Sequence, residues 1–534
     1  MTMTPVANFS RVERTAPNIR SYTAQRSAGS IIDLLLTDLR SVLADLGKDG
    51  GFFSPSVYDT AQLLRLYPPV EGVDAALEWL LTQQQADGGW GDRALPLMRD
   101  VPTLAAVLTL HSYQNFKGTR AALQAGLNFL QGQADYWREL QLDNVPAAAE
   151  LTIPYLLEEA AAVNLEVPQQ HYTEIVKLGN QRRQRLARLN NRTGGNALAC
   201  SWEVWGKEPY PSLIDGSGGV GHSPATTAAW LQAAAGRSDL MDTRVAAESY
   251  LARAAAATGL NIPGVVPTQW PLERFEQAFS LYSLLITGLL EHPALQDLVQ
   301  PHLHELASML IPNGIGASAF FIPDGDDTAA AVSVLYGAGW KVDLAGLRQF
   351  ENDDGYFTTF PGELHPSISV TARAVHALAI AGEKVAQPIE LLLERQSPDG
   401  RWTGDKWHSS WLYVTLHVAL ALLQSGHYSL LKSTIKTLLA HQHTDGGWGT
   451  GYQSTTLETA YAVLTLQALK SHGLLDERGL EVQLRGYHWL VRNYSPFQWN
   501  EERQWIAKDL YGAYRIDRAF ELSAMLAMAL TLEE

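Results

Sequence analysis

"AHQHTDGGWGT", residues 440–450, closes a helical apolar pattern with Asp-Gly and sets a tryptophan two places beyond that glycine. The same order of Gln, short spacer, Asp-Gly and Trp recurs in "QQQADGGWGD" (83–92) and "ERQSPDGRWTGD" (394–405). Each copy follows an amphipathic segment, so the glycine supplies the left-handed turn that ends a helix. The indole can then fold back on that helix, leaving its N–H for a nearby amide or carbonyl. Trp402 and Trp448 lie 46 positions apart, about the length of one helix pair. That spacing suits stacked α-hairpins or a closed ring of them, which is the α/α barrel.

The segments between the turns agree. "SIIDLLLTDLRSVLADL", "GVDAALEWLLTQQQ" and "ETAYAVLTLQALKSHG" repeat apolar residues at three and four, and alternating β-branched runs are scarce. An all-α protein follows. At 534 residues the chain exceeds one ordinary core, and the first turn copy stands far from the other two. Two related helical domains are expected, one holding residue 90 and the other residues 324 to 450. The Pro-containing breaks "GVVPTQWP" (264–271) and "EHPALQDLVQPH" (291–302) mark the crossing between them.

A formal charge of −16 argues against nucleic acid as the main partner, while leaving room for an anionic small molecule held by a few local cations. The single cysteine, Cys200, excludes an intrachain disulfide framework and a multi-cysteine zinc site, and it suits a reducing, cytoplasmic compartment. The first thirty residues carry four arginines without a continuous apolar run, and read as a solvated tail rather than a secretory signal. No stretch of about eighteen uncharged apolar residues predicts a membrane span.

"IPDGDDTAAAV" (322–332) crowds Asp324, Asp326 and Asp327 ahead of a run of small residues. One reading is a helix start, where acids are stabilised by exposed N–H groups and the positive dipole end. A calcium loop fails for want of ligands spaced through twelve residues. A glycosidase, with its second carboxylate elsewhere, stays open. The remaining reading is a proton donor. Crowded carboxyls cannot all ionise cheaply, so one keeps its proton near neutral pH. Facing an apolar, aromatic-lined cavity, that acid can protonate an alkene, and water must be excluded for the cation to survive.

Together, Asp-X-Asp-Asp-Thr-Ala and the Asp-Gly-X-Trp turns resemble the class II terpene cyclases. "SVYDTA" (56–61), "AAAELTIPYLLEEA" (147–160) with Glu150 and Pro154, "GSGGVGHSPATTAAWL" (216–231), "VVPTQWPLERFEQ" (265–277) and "WIAKDLYGAYRID" (505–517) are similar to blocks of the diterpene branch, in the same order. The resemblance runs from about residue 50 to 520. It implies two α/α barrels: a γ domain at 46–285 inserted into a β domain made of 1–45 and 286–534. It also implies geranylgeranyl diphosphate as substrate and a bicyclic labdane- or clerodane-type diphosphate as product. Asp-Asp-X-X-Asp, the ionising motif of class I synthases, is absent, so the diphosphate is expected to stay attached and a separate class I synthase to act next.

By the same resemblance Asp326 is the general acid, with Asp324 and Asp327 tuning it and Thr371 and His376 supporting it. Lys508 is the expected diphosphate contact, and Lys406 and His408 are expected to be structural. Trp270, Phe321, Tyr356 and Trp411 are the candidate cavity aromatics. Magnesium is expected with the diphosphate, and Glu139 and Asp143 are what remains of the segment that assists it in plant members. The positions of the plant His–Asn pair that holds the deprotonating water are Cys200 and Thr268, so a different proton-removal site and a rearranged skeleton such as kolavenyl are expected. Squalene–hopene-type and drimane-forming cyclases are the alternatives within this chemistry. A non-catalytic helical scaffold is the alternative outside it.

Overall fold

The computed structural model describes residues 31–533 apart from 141, 190–191 and 364–366; the expected N-terminal tail lies outside them. The first unit is built on α1 (Val57–Leu66), α2 (Asp100–Ser112), α3 (Ala149–Ala162), the short α4 (Trp202–Trp205) and α5 (Pro224–Ala233). Each packs on the next, and α5 returns to α1. The second unit is a ring of six: α6 (Glu273–Ile286), α7 (Gly325–Gly337), α8 (Ile368–Ile380), α9 (Trp411–Gln424), α10 (Thr456–Ser471) and α11 (Tyr514–Glu533), closed by α11 against α6.

Sequence decides which helices stand inside. In α9, "WLYVTLHVALALLQ", every residue from Trp411 to Leu423 is buried, as an apolar surface on all sides requires. The outer helix Glu477–Asn493 keeps only a stripe inside, Val482, Tyr487, Trp489 and Leu490 among it. The helices Ile31–Asp45, Gln296–Met309 and Ala386–Glu394 form the same outer layer, packed on α11, on α6 and α7, and on α8. Among the described residues the only strands are β1 (Trp505–Ile506) and β2 (Leu510–Tyr511), an antiparallel hairpin leading into α11.

The expected γ domain ended at residue 285, and the packing differs. Helix α6 stands in the second ring between α7 and α11, so the crossing is "GVVPTQWP" (264–271) alone. The second proline segment, 291–302, only leads into the outer helix Gln296–Met309.

The turns form one device. Trp90, Trp402 and Trp448 donate their indole N–H to the carbonyls of Leu80, Leu392 and Leu438, ten residues back in the preceding outer helix. Gln84, Gln396 and Gln442 each donate to the turn glycine's carbonyl, Gly88, Gly400 or Gly446. The backbone N–H of the tryptophan then meets a threonine hydroxyl of the following inner helix: Thr103 at 3.0 Å, Thr415 at 3.5 Å and Thr459 at 2.9 Å. Turns without tryptophan keep that last bond: Val220 to Thr227, Ile315 to Thr328 and Phe357 to Thr371. A buried N–H is thus satisfied at these six returns to the rings.

Gly88 has φ +92° and a Cβ there would stand 2.4 Å from the Ala125 carbonyl oxygen, whereas Gly236, at φ +76°, faces open space. Gly236→Ala should cost about 1 kcal/mol for the left-handed backbone alone, and Gly88→Ala at least about 2 kcal/mol. Melting temperatures of the two variants measured side by side check the order.

Candidate active site

Asp324 caps α7. Its extended backbone (φ −133°, ψ 160°) turns the carboxylate back so that Oδ1 accepts from Asp326 N at 3.0 Å and Asp327 N at 2.8 Å. The helix start therefore holds one acid and displays the next two. Asp327 is buried, and its Oδ1 has no hydrogen-bond partner. Asp326 alone of the three is half-open, its side chain 13% exposed.

Facing it is Arg373, the one residue of α8, "ISVTARAVHALAI", that carries a permanent charge. The guanidinium is wholly buried and reaches Asp326 Oδ1 through Nε at 2.6 Å and an Nη at 2.5 Å. Its other Nη donates to the Tyr413 hydroxyl at 2.6 Å, and its carbon lies 4.8 Å from the centre of the Phe279 ring. Both contacts with Asp326 fall on Oδ1, so Oδ2 is the oxygen left to hold a proton. Burial raises the pKa of Asp326 and the Arg373 charge pulls it back, leaving it above the ordinary carboxylate range. Burial pushes Asp324 up to about 7. Asp327 goes well above its ordinary value, through burial and then the charge of Asp324. One cation serves three acids.

A cavity of about 380 Å³ opens on Asp326 between the two units. On the second-unit side it is lined by the approaches to inner helices: Phe275 at α6, the aspartates at α7, Phe360 and Glu363 before α8, Trp407 before α9, and the Trp505–Tyr511 hairpin before α11. Several helix N-termini thus point their positive ends at one space, which favours negative charge there. The first unit supplies the residues around Pro146–Leu151, Cys200 and His222.

The expected residues are distributed unevenly. Asp324, Asp326, Asp327, Phe321, Cys200 and Lys508 line the cavity; Trp270, Tyr356, Trp411, Thr268, Thr371 and His376 do not. Trp270 donates to the Asp49 carbonyl, and Trp411 carries the Arg401 guanidinium on its face. The cavity aromatics are instead Phe275, Phe360, Trp407, Trp505 and Tyr511 beside Phe321. Thr371 is the turn hydroxyl of its repeat, bonded to Phe357 N and Ser367 O, and His376 Nδ1 meets the Tyr282 hydroxyl at 2.8 Å. Neither touches Asp326; the positioning contact comes from Arg373, two places beyond Thr371.

Lys508 reaches the cavity edge with all three ammonium donors taken, by Glu203, Ser223 Oγ at 2.9 Å and Thr226 Oγ1 at 3.0 Å. A grip on diphosphate by Lys508 would have to displace Glu203. Lys406 is paired with Glu363, and His408 stacks on Tyr413 at 3.8 Å. Glu139 is exposed and away from the cavity, and the side chain of Asp143 lies outside the described set. Glu150 lines the cavity but is held by Arg182 at 2.5 Å.

Comparison with known proteins agrees with this geometry. Residues 363–527 match the family described as squalene-hopene cyclase C-terminal domain. A (+)-kolavenyl diphosphate synthase of Herpetosiphon aurantiacus is 48% identical over 515 residues, covering 94% of this chain and 98% of that protein. The chain belongs to the class II diterpene cyclases. An ent-copalyl diphosphate synthase of a Streptomyces species is 32% identical, covering 96% of this chain and 97% of that one. The structure of ent-copalyl diphosphate synthase from Streptomyces platensis superposes with a TM-score of 0.75 at 28% identity, covering 93% of this chain and 99% of that one. Class II diterpene cyclisation to a bicyclic diphosphate, an isomerase-type reaction, is the chemistry of this cyclase. No helix among its described residues is long and apolar enough to cross a membrane.

A proton donor works in its neutral form, so a reaction that draws its proton from Asp326 would slow as pH rises through the pKa of that carboxyl. Arg373→Met removes the charge that holds that pKa down. The alkaline fall should move up by roughly 1 to 3 pH units while the plateau kcat drops about 100-fold, because the carboxylate left behind loses its counter-charge. A pH profile of kcat for both proteins checks the sign; an unmoved fall would separate Arg373 from the acid.

Proposed function

We propose that Asp326 protonates the terminal double bond of geranylgeranyl diphosphate and that the protein releases a clerodane-type, kolavenyl diphosphate. The observation carrying this reading is Asp326 itself: one oxygen is fixed on a buried arginine and the other is free, at the edge of an aromatic-walled cavity. Arg373 and the helix ends stabilise the conjugate base at the moment of transfer, which makes a carboxylic acid strong enough for an alkene. The aromatic faces of Phe275, Phe321, Phe360, Trp407, Trp505 and Tyr511 shield the cation from water and stabilise it in turn.

The clerodane skeleton is supported by the 48% identity to a kolavenyl diphosphate synthase and by Cys200 and Thr268 at the positions where a His–Asn water site would stand. The prenyl chain enters with its diphosphate, whose oxygens are the natural ligands of any magnesium. A separate class I synthase, or another enzyme that breaks the retained C–O bond, would consume the product.

Asp326→Asn keeps the shape and removes the proton. Incubated with geranylgeranyl diphosphate, dephosphorylated and analysed by gas chromatography and mass spectrometry, it should lose about 100- to 10,000-fold in rate. Activity within a few-fold of wild type would reject the acid assignment. The wild-type enzyme should yield kolavenol after dephosphorylation, and ent-copalol as the main alcohol would reject the skeleton.

A further inference from the structure

A reaction opened by an acid must be closed by a base, and the cavity offers few. We propose that His222, backed by Asp215, removes the proton that ends the cyclisation; this rests on Asp326 being the acid that begins it.

The imidazole lines the same cavity as Asp326 and lies against Phe321, with ring centres 4.8 Å apart. Its Nε2 stands 3.5 Å from Asp215 Oδ2. Asp215 Oδ1 is occupied by Ser217, at 2.8 Å from the backbone N and 2.5 Å from Oγ, whereas Oδ2 makes no hydrogen bond. That buried, unsatisfied oxygen has the imidazole as its charged-state partner. Ser318 Oγ, at 3.3 Å from Nε2, steadies the ring from the second unit. The backbone of His222 is left-handed, φ +57°, a conformation uncommon outside glycine and adopted more readily by asparagine, aspartate and histidine than by other residues. It is fixed on both sides: the His222 carbonyl accepts from Trp270 N at 3.0 Å, and Ser223 caps α5. A strained backbone that presents a side chain to a reaction cavity is a functional signal once geometry supports it.

The competing groups are occupied. Glu150 is bound by Arg182, and Glu363 by Lys406. The Cys200 thiol donates to the Gly221 carbonyl, and burial pushes its pKa up to about 12, so it keeps its proton. Thr268 does not reach the cavity. His222 is the histidine among the described lining residues. Burial pushes it down to about 3, so the ring is neutral and ready at any working pH. Against a carbocation even a weak base suffices, and an imidazolium that acidic passes its proton on to water readily.

In the step, the C–H bond beside the final cation breaks and its electron pair becomes the ring double bond. The proton goes to an imidazole nitrogen, with the Asp215 carboxylate balancing the new charge. It then leaves to solvent, from which Asp326 recovers one, so the overall reaction is an isomerisation.

The test uses full-length His222→Phe, which has no basic nitrogen, and His222→Asn, which tolerates the left-handed backbone. Geranylgeranyl diphosphate is the substrate; consumption and dephosphorylated products are measured, with melting temperature and affinity for a non-cyclisable aza analogue as controls. Both variants should bind the analogue and still consume substrate, slowed by up to about 100-fold. The wild-type alcohol should fall below about half of the products, replaced by double-bond isomers and water-quenched diols, with Asp215→Asn shifting the same way. Should His222→Phe fail to fold, His222→Asn decides alone. Wild-type product as the main one, at rates within about threefold, overturns the assignment. So does a folded variant that binds the analogue and consumes nothing, since a terminating base is not needed to start the reaction. Asp326→Asn separates the two ideas: if it keeps consuming substrate, the acid reading fails, whatever His222 does to the products.

Discussion

One guanidinium for three buried carboxyl groups is the constraint on which this active site turns. Three carboxylates beside a single cation in low dielectric cannot all be ionised, so protons must be kept. Which groups keep them follows from geometry. Asp324 is committed to two backbone N–H groups, Asp327 is sealed with an orphaned oxygen, and Asp326 shares one oxygen with Arg373 while the other borders the cavity. Burial raises the pKa of Asp326, and the charge of Arg373 opposes that rise.

The barrel exists to hold that arrangement still. Asp326 and Arg373 stand on neighbouring inner helices, α7 and α8, whose starts are fixed by Thr328 and Thr371 receiving the N–H of Ile315 and Phe357. A side-chain hydroxyl at these two returns sets helix height, and helix height sets the distance between Asp326 and Arg373. The same device recurs at Thr103 and Thr227 in the first unit, which binds the two rings into one structural logic.

Local features were legible in the chain. An Asp-Gly followed by tryptophan is complete within a dozen residues, and the acids at 324–327 are adjacent, so turn and helix start can be read without knowing the fold. Features made by convergence were not. Arg373 is 47 residues from Asp326, and its signal, a lone charge in an apolar helix, says only that a partner exists. The resemblance places the Thr371 hydroxyl against the acid, yet that hydroxyl belongs to the turn. Trp270, Tyr356 and Trp411 show why counting aromatics fails: a tryptophan at a helix start or turn is usually core. The boundary went astray at α6 because that helix follows the crossing directly, and neither composition nor periodicity distinguishes the ring it joins.

The hairpin between Trp505 and Tyr511 has a consequence for traffic. Its Asp509 accepts the first N–H groups of α1, from Val57 and Tyr58, and its Lys508 is buried on Glu203. A limb of one barrel thus buckles into the other with opposite charges on the inside. Unfastening it would strand both in a dry interface at a cost of several kcal/mol. The barrels therefore do not gape like jaws. Substrate must then reach the cavity, and product leave it, without the barrels parting at this hairpin.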